Sequence, residues 1–206
     1  MTERTTQSRI RELAAEDRLL QPSELEAPPE SMAYAERSGV LRRIIVGVYI
    51  GAQHKLHPLV EAAAWTLRSS EAVACLLTAA IYEGLTDAFE RGTWLYVPKG
   101  SSPPRSRTHP VHAIQTSERF IDRAHDADNG IIAVQVHGVA VRITGPDRTV
   151  LDLFRYPKHI PGEYALEALR RRASAQDFRI PVFARLARRL DIRRKIDPLL
   201  QGLVLR

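Results

Sequence analysis

Apolar residues recur along the chain with two different spacings, and the clearest change of spacing falls between residues 30 and 50. Residues 31–38 have helical composition, whereas the run that follows them is rich in β-branched side chains, as strands are. Gly39 lies where a helix ends in a left-handed residue, and Gly47 interrupts the β-branched run where a tight turn would fall. The pattern predicts a helix, a strand, a glycine turn and a second strand.

Two further helices are predicted upstream of this stretch. Residues 8–18 carry one apolar stripe opposite alternating charges, which is typical of a helix with one buried side. Pro22 begins a brief second helix, and Ala27-Pro28-Pro29 forces a break before the third. Three helices followed by a two-stranded ribbon in residues 1–53 indicate a winged helix-turn-helix, although any small α+β cap has the same order.

The remainder of the chain, residues 54–206, mixes both kinds of element. Helices are predicted over residues 59–67 and 70–82, and the region 92–145 is rich in strands, with His137-Gly138 as a two-residue hairpin turn. Residues 146–206 have helical patterns throughout. The expected fold class is α+β, with an N-terminal winged helix-turn-helix, then a mixed α/β domain with a helical C-terminal end.

A winged helix binds DNA by placing its third helix in the major groove, so the side chains of that helix are candidate contacts. Ser31 and Tyr34 are three residues apart and are expected to face the base edges together, with Arg37 one turn further along. Arg42 and Arg43 on the ribbon lie within reach of backbone phosphate. These five residues are the predicted DNA-binding site.

The net charge of +6 is unevenly distributed. Residues 155–206 carry 13 Lys and Arg against 5 Asp and Glu, a surplus of 8, so residues 1–154 have a net charge of −2. Because DNA affinity depends on phosphate neutralisation, the basic C-terminal helices need their own explanation. They either keep a helical bundle soluble, or extend the DNA footprint, or bind an acidic partner or its nucleotide or RNA substrate. The predicted basic surface comprises Arg171, Arg172, Arg185, Arg188, Arg189, Arg193, Arg194 and Lys195.

Five segments follow one another in an order that resembles the AbiEi-type antitoxins of bacterial type IV toxin-antitoxin systems. They are SRIRELAAEDRLLQPSELEA, SGVLRRIIVGVYI, VACLLTAAIYEGLTD, VHGVAVRITGPDRTVLDLFRY and ALEALRRRA. The resemblance extends from about Ser8 to Leu203, and its most specific pieces are Gly47-Val48-Tyr49 and the run from Asp147 to Phe154. It implies a repressor head and an antitoxin domain, residues 54–206. The expected partners are promoter DNA with inverted repeats, bound by paired or cooperative molecules, and a nucleotidyltransferase-type toxin, contacted directly or not.

The same resemblance implies that Arg148 and Asp152 are structural anchors of the antitoxin domain. They are four residues apart on a helix that begins near Pro146 and can pair on one face, while Asp147 stabilises the first turn. The sequence has no glycine-rich phosphate loop, Ser-His-Asp signature or HExxH motif. An enzyme is therefore not predicted.

Metal, membrane and cofactor sites are also not predicted. His54 and His57 lack the further ligands that a zinc site needs, and Cys75 lies in an apolar run typical of a reduced core residue. No apolar run reaches the length of a membrane span, and the first residues do not resemble a signal peptide, so a cytoplasmic protein is expected.

Two alternatives to the DNA-binding antitoxin stay open. Glu30 and Glu36 oppose Arg37 on the third helix, and Ile45-Val46 occupies the place where the resembled family usually has a polar or basic residue. An apolar ribbon tip could instead pack on a neighbouring molecule or on the C-terminal half. The first alternative is an interaction protein without DNA binding that neutralises its partner through the basic C-terminal helices. The second is a winged-helix transcriptional regulator outside a toxin-antitoxin pair.

Overall fold

A computed structural model describes residues 3–204, and this part of the chain forms two compact units. The first comprises the described chain up to Ser70, together with Ser106–Pro110 and Val134–Val141. The second comprises Glu71–Arg105, Val111–Ala133 and the described chain from Arg142 onward. Within residues 3–204, no helix has both the length and the apolar character that crossing a membrane requires.

The first unit contains three helices, a two-stranded ribbon and a fourth helix. They are α1 (Glu3–Ala14), α2 (Pro22–Leu25), α3 (Pro29–Arg37), β1 (Leu41–Ile45), β2 (Val48–Gly51) and α4 (Val60–Arg68). A proline at the first position begins both α2 and α3, where its missing N–H costs no hydrogen bond. Helix α1 begins and ends earlier than the predicted residues 8–18. The predicted order of elements is confirmed.

Glycines define both ends of the ribbon's first strand, as the sequence predicts. Gly39 after α3 and Gly47 between the strands have φ values of +71° and +78°, which only glycine adopts readily. Strand β1 pairs antiparallel with β2, and an irregularity in register falls between Arg43 and Ile45. Leu20 adds a third pairing, because its N–H and carbonyl exchange hydrogen bonds of 2.8 and 2.9 Å with Tyr49.

One apolar core holds these elements together. Its buried residues are Ile10, Ala14, Leu20, Leu25, Met32, Ala35, Leu41 and Tyr49. Burial of these side chains removes apolar surface from water and fixes the orientation of each helix. Met32 and Ala35 turn one side of α3 inward, so the opposite side of α3 faces outward.

The second unit is built on a five-stranded sheet with the strand order β5-β4-β3-β7-β6. Its strands are β3 (Val73–Ala74), β4 (Thr93–Pro98), β5 (Val111–Thr116), β6 (Ile131–Val136) and β7 (Val139–Thr144). Its helices are α5 (Leu76–Tyr82), α6 (Pro146–Arg155), α7 (Gly162–Ala173), α8 (Ile180–Arg189) and α9 (Arg193–Val204), with two 3₁₀ turns at Glu118–Phe120 and Arg123–His125. Strands β6 and β7 form the predicted hairpin at His137-Gly138, and its outer residues, Val134–Val141, belong to the first unit.

The predicted helix over residues 70–82 is wrong in its first half. Residues Val73–Ala74 form β3, which lies at the centre of the sheet, antiparallel to β4 and parallel to β7. Leu76 then takes a φ of +47°, and only from there does the chain run as helix α5. A short apolar run fits a buried strand as well as a buried helix, so periodicity could not separate the two.

Helix α6 is central to the second unit, because α5, α7 and α8 all pack against it. Six of its ten residues are buried, including Val150, Leu151 and Leu153. The helix begins directly after β7, with Gly145 as its N-cap and Pro146 at its first position. This arrangement carries Arg148 and Asp152 into the interior.

Candidate functional site

The outward side of α3 presents the side chains of Tyr34 and Arg37. Tyr34 is 51% exposed although it is aromatic, and Arg37 is exposed as well. Residues three apart on a helix lie on the same side, so the two form one contact surface. An exposed aromatic ring next to a guanidinium can bind a base edge or a phosphate.

Ser31 does not belong to this surface, so the prediction that it faces the groove beside Tyr34 is wrong. Its exposed fraction is only 6%, and its backbone carbonyl accepts a 3.4 Å hydrogen bond from Gln7 Nε2 of α1. Ser31 lies four residues before the buried Ala35 and so shares its inward side. The three-residue spacing between Ser31 and Tyr34 does not show which side of α3 packs against the core.

Arg42 and Arg43 are both exposed on β1, and each guanidinium is held by a contact within the unit. Arg43 Nη2 lies 2.5 Å from Glu36 Oε2, and the guanidinium carbon lies 5.6 Å from the centre of the Tyr49 ring. Arg42 Nη2 donates a 3.2 Å hydrogen bond to the carbonyl of Ala52. The contact with Glu36 neutralises part of the charge that Arg43 would offer to DNA.

The ribbon tip has one exposed apolar side chain instead of the two that the sequence suggested. Val46 is 52% exposed, whereas Ile45 is fully buried. Arg68 at the end of α4 donates a 2.7 Å hydrogen bond from Nη1 to the carbonyl of Val46. A basic residue in the last turn of α4 was the only sequence signal for this contact, which holds the tip of the ribbon in place.

Histidines of the first unit form a hydrogen-bonded network around Asp17. His137 Nδ1 lies 2.6 Å from Asp17 Oδ1, and the backbone N–H of His57 donates a 3.1 Å hydrogen bond to His137 Nε2. His54 Nε2 lies 3.0 Å from the carbonyl of Ala14. Among the residues that the structure describes, no group of three or more His, Cys, Asp or Glu is arranged to hold a metal ion.

In the second unit, Arg148 and Asp152 form an ion pair with no solvent exposure on either side chain. Arg148 Nε donates to Asp152 Oδ2 at 2.6 Å, which confirms the predicted pairing. Arg148 Nη1 also donates to the carbonyl of Asn129 at 2.7 Å and to that of Phe120 at 3.3 Å. The guanidinium therefore joins α6 to the 3₁₀ turn Glu118–Phe120 and to the segment just before β6.

The surroundings of this pair are closed to solvent. Burial raises the pKa of the Cys75 thiol well above its ordinary value, and the charge of Asp152 acts in the same direction. Burial and Asp152 likewise raise the pKa of the Tyr96 phenol. Both groups stay protonated, so the cluster has the properties of a structural core.

The predicted basic surface is only partly a surface. Arg172 is 7% exposed, and its guanidinium is 2.5 Å from Asp147 and 2.6 Å from Asp177, so its placement on the surface is wrong. Arg171 is paired with Glu167 at 2.6 Å and also with Asp87. Its partners neutralise it, although its side chain stays 36% exposed. The sequence could not show the pairs with Asp87 and Asp147, because these two residues are distant from Arg171 and Arg172 along the chain.

The other six predicted bases are exposed and line two separate clefts. A cleft of about 730 Å³ has Arg185 and Arg189 beside the apolar side chains of Ile132 and Val182. Arg189 Nε also donates a 2.8 Å hydrogen bond to Oδ1 of the buried Asn129. A second cleft, of about 660 Å³, is lined by Arg155, Arg188 and residues 191–195, and is called the basic cavity below.

Together the helices and the two sheets define a mixed α+β protein. The chain is similar to a crystal structure of the RV2827C protein from Mycobacterium tuberculosis, with a TM-score of 0.60 over 89% of this chain and 71% of that one. The two sequences are 15% identical, so the similarity concerns the fold. No protein-family model and no curated protein matches the chain.

Proposed function

We propose that the chain is a DNA-binding antitoxin that represses its own operon through an N-terminal winged helix. The observation that carries this proposal is the first unit itself. Three helices and a ribbon share one core, and the outward side of α3 displays Tyr34 and Arg37. This order and exposure are what a helix needs to enter a major groove while a ribbon contacts the backbone.

Base recognition is assigned to Tyr34 and Arg37. An arginine can donate two hydrogen bonds to guanine, and such a contact discriminates against a wrong base by roughly 1–3 kcal/mol. Arg42 and Arg43 are assigned to phosphate, which contributes affinity for any sequence. For Arg43 the phosphate must compete with Glu36, so its contribution is smaller than that of an unpaired arginine.

The second unit is assigned the antitoxin role, against a nucleotidyltransferase-type toxin. This assignment rests on the resemblance of the run Asp147 to Phe154 to AbiEi-type antitoxins. The buried pair of Arg148 and Asp152 within that run supports a structural role for both residues. No catalytic residue is assigned.

A second candidate function is an interaction protein that does not bind DNA and neutralises its partner through the basic C-terminal helices. Two observations favour it: Ser31 is buried and Arg43 is paired with Glu36. Both observations reduce the number of side chains with which the first unit can contact DNA. The basic cavity and the bases of the larger cleft would then provide the partner contacts.

Binding of the purified chain to its own upstream DNA, compared with random duplex over a salt series, separates the two candidates. The repressor should prefer its upstream DNA, and equal affinity for both duplexes would refute it. Arg37→Ala should cost about 1–3 kcal/mol on the specific duplex and relax the preference. Arg42→Ala should weaken binding to both duplexes and reduce the salt slope by about 1. Arg11→Ala is the matched control, because Arg11 is an exposed arginine of α1 and is expected to leave both affinities unchanged.

A further inference from the structure

The basic cavity beside the beginning of α9 has an unusual concentration of positive charge. Its lining consists of Arg155, Arg188, Asp191, Ile192, Arg193, Arg194 and Lys195. Five of these seven residues are bases and one is an acid. A concave surface with this charge attracts anions, because the charges act on the same small volume.

Acidic residues close to the cavity are already engaged. The carboxylate of Asp191 is paired with Arg119, which does not line the cavity, and Asp197 is 3.2 Å from Arg193. Within the described chain, neither Arg188 nor Arg194 has an acidic partner. The guanidinium groups of Arg188 and Arg194 can therefore bind an anion without breaking an existing ion pair.

Two further bases of the lining have no carboxylate within hydrogen-bonding distance, although the guanidinium carbon of Arg155 lies 4.1 Å from the centre of the Phe120 ring. Lys195 Nζ donates a 3.4 Å hydrogen bond to the neutral carbonyl of Phe154. Arg155 Nη1 makes no hydrogen bond with any described residue and lies 3.9 Å from Asp152 Oδ1. Their charges add to those of Arg188 and Arg194.

Three of these bases lie at a position where positive charge destabilises a helix. Arg193, Arg194 and Lys195 occupy the first turn of α9, a helix of twelve residues with no acidic residue in that turn. The N-terminal end of a helix carries partial positive charge, so cations there are destabilising and acidic residues are the usual choice. Asp197 offsets Arg193, but Arg194 and Lys195 have no acidic partner in the described chain, and local rules are often broken at functional sites.

Shape and lining decide which anion fits. The volume of about 660 Å³ is within the range of small-molecule sites, roughly 300–1,000 Å³. Ile192 is the sole apolar lining residue of this cavity, and it is buried, so the lining has no aromatic ring on which a nucleobase could stack. Arginine forks bind phosphate oxygens in pairs, and each further phosphate group can engage another guanidinium.

We propose that the basic cavity binds the phosphate chain of a small polyphosphate, supplied either as inorganic polyphosphate or as the triphosphate of a nucleotide. Arg188 and Arg194 bind the phosphate oxygens, while Arg155 and Lys195 add positive charge. The site goes beyond the proposed repressor function, since no residue of the first unit takes part. If the chain does not bind its upstream DNA, the proposal of a polyphosphate site is therefore unaffected.

Titration calorimetry of the full chain with sodium tripolyphosphate tests the proposal. We expect binding that weakens with added salt, and at least a tenfold loss of affinity in the double variant Arg188→Gln/Arg194→Gln. Arg185→Gln is the matched control, because Arg185 is an exposed arginine of the same helix that lines the other cleft. It should change the affinity less than twofold. A loss of binding free energy in the control that is half as large as in the double variant, or larger, would be explained by the removed charge alone and would overturn the proposal.

Two further measurements distinguish the sources and guard against misfolding. ATP and GTP that bind within a fewfold of tripolyphosphate would show that a nucleotide can supply the phosphate chain, whereas much weaker binding of both nucleotides would leave inorganic polyphosphate as the source. Hydrogen exchange of the unaltered chain should slow at residues 188–195 when tripolyphosphate is added, and unchanged exchange there would refute the site without any variant. If tripolyphosphate does not bind while duplex DNA binds in a way that depends on Arg188 and Arg194, the small-ligand proposal is overturned.

Discussion

Replacing Asp152 with alanine should destabilise the second unit by about 3 kcal/mol. Removing one partner of a buried ion pair leaves an uncompensated charge, which costs roughly 3–5 kcal/mol. Arg148 keeps its hydrogen bonds to the carbonyls of Asn129 and Phe120, so the lower end of that range applies. The double variant Arg148→Ala/Asp152→Ala should cost clearly less than the sum of the two single variants, because it leaves neither charge behind.

Urea unfolding followed by tryptophan fluorescence measures this effect. The chain has two tryptophans, so a Trp65→Phe background leaves Trp94 of the second unit as the reporter. Asp197→Ala is the matched control. It breaks an Arg-Asp pair of the same i,i+4 spacing, with side chains 52% and 43% exposed, and such pairs contribute at most about 0.5 kcal/mol. An Asp152→Ala variant as stable as the Asp197→Ala variant would show that the buried pair is not an anchor.

Two further substitutions test the packing and the electrostatics. Gly51→Ala should lower the free energy of unfolding of the first unit by about 1–3 kcal/mol, because the new Cβ would lie 1.9 Å from the carbonyl oxygen of Ala14. Thermal unfolding measures this loss. Gly162→Ala, which meets no atom within 4 Å, should be neutral or better, and equal effects would contradict the close approach. Burial raises the pKa of Glu83, so its contribution to stability is present at low pH and is lost as pH rises through the raised pKa. Glu83 is the C-cap of α5, so Glu83→Gln should stabilise the chain at pH 7 by roughly 0.3–1 kcal/mol. This gain should vanish below about pH 4, where the carboxyl group is protonated in both the folded and the unfolded chain. A gain that stays constant with pH would refute the argument from the raised pKa.

Local patterns predicted most of the elements, and their limits are visible at β3. Prolines and glycines gave the beginning of α2, the end of α3 and the turns at Gly47 and Gly138, since each acts within a few residues. Strand β3 was missed because its two residues are identified only by pairing with β4 and β7. Such pairings depend on residues far along the chain, and the apolar run itself fits either kind of element.

The site residues divide in the same way. Arg148 and Asp152 could be paired from sequence, because a spacing of four on one helix is a local property. The burial of Ser31 depends on α1, and the burial of Arg172 depends on Asp147, which is 25 residues away. Charge alone identified Arg188 and Arg194 of the basic cavity, whereas the engagement of Asp191 by Arg119 could only be seen in three dimensions.

The distribution of paired and unpaired arginines bears on how the proposed repressor would act. In the first unit, Arg18 is paired with Glu16 and Glu24, Arg43 with Glu36, and Arg68 is bound to the carbonyl of Val46. These engaged arginines offer less charge to phosphate than free ones would, so the single-site affinity of the first unit should be low and its salt dependence shallow. Occupancy of a promoter would then require two heads on an inverted repeat, because binding at adjoining half-sites multiplies the separate affinities. On this reasoning a single half-site duplex should bind hardly better than random DNA, whereas the complete repeat should be bound cooperatively.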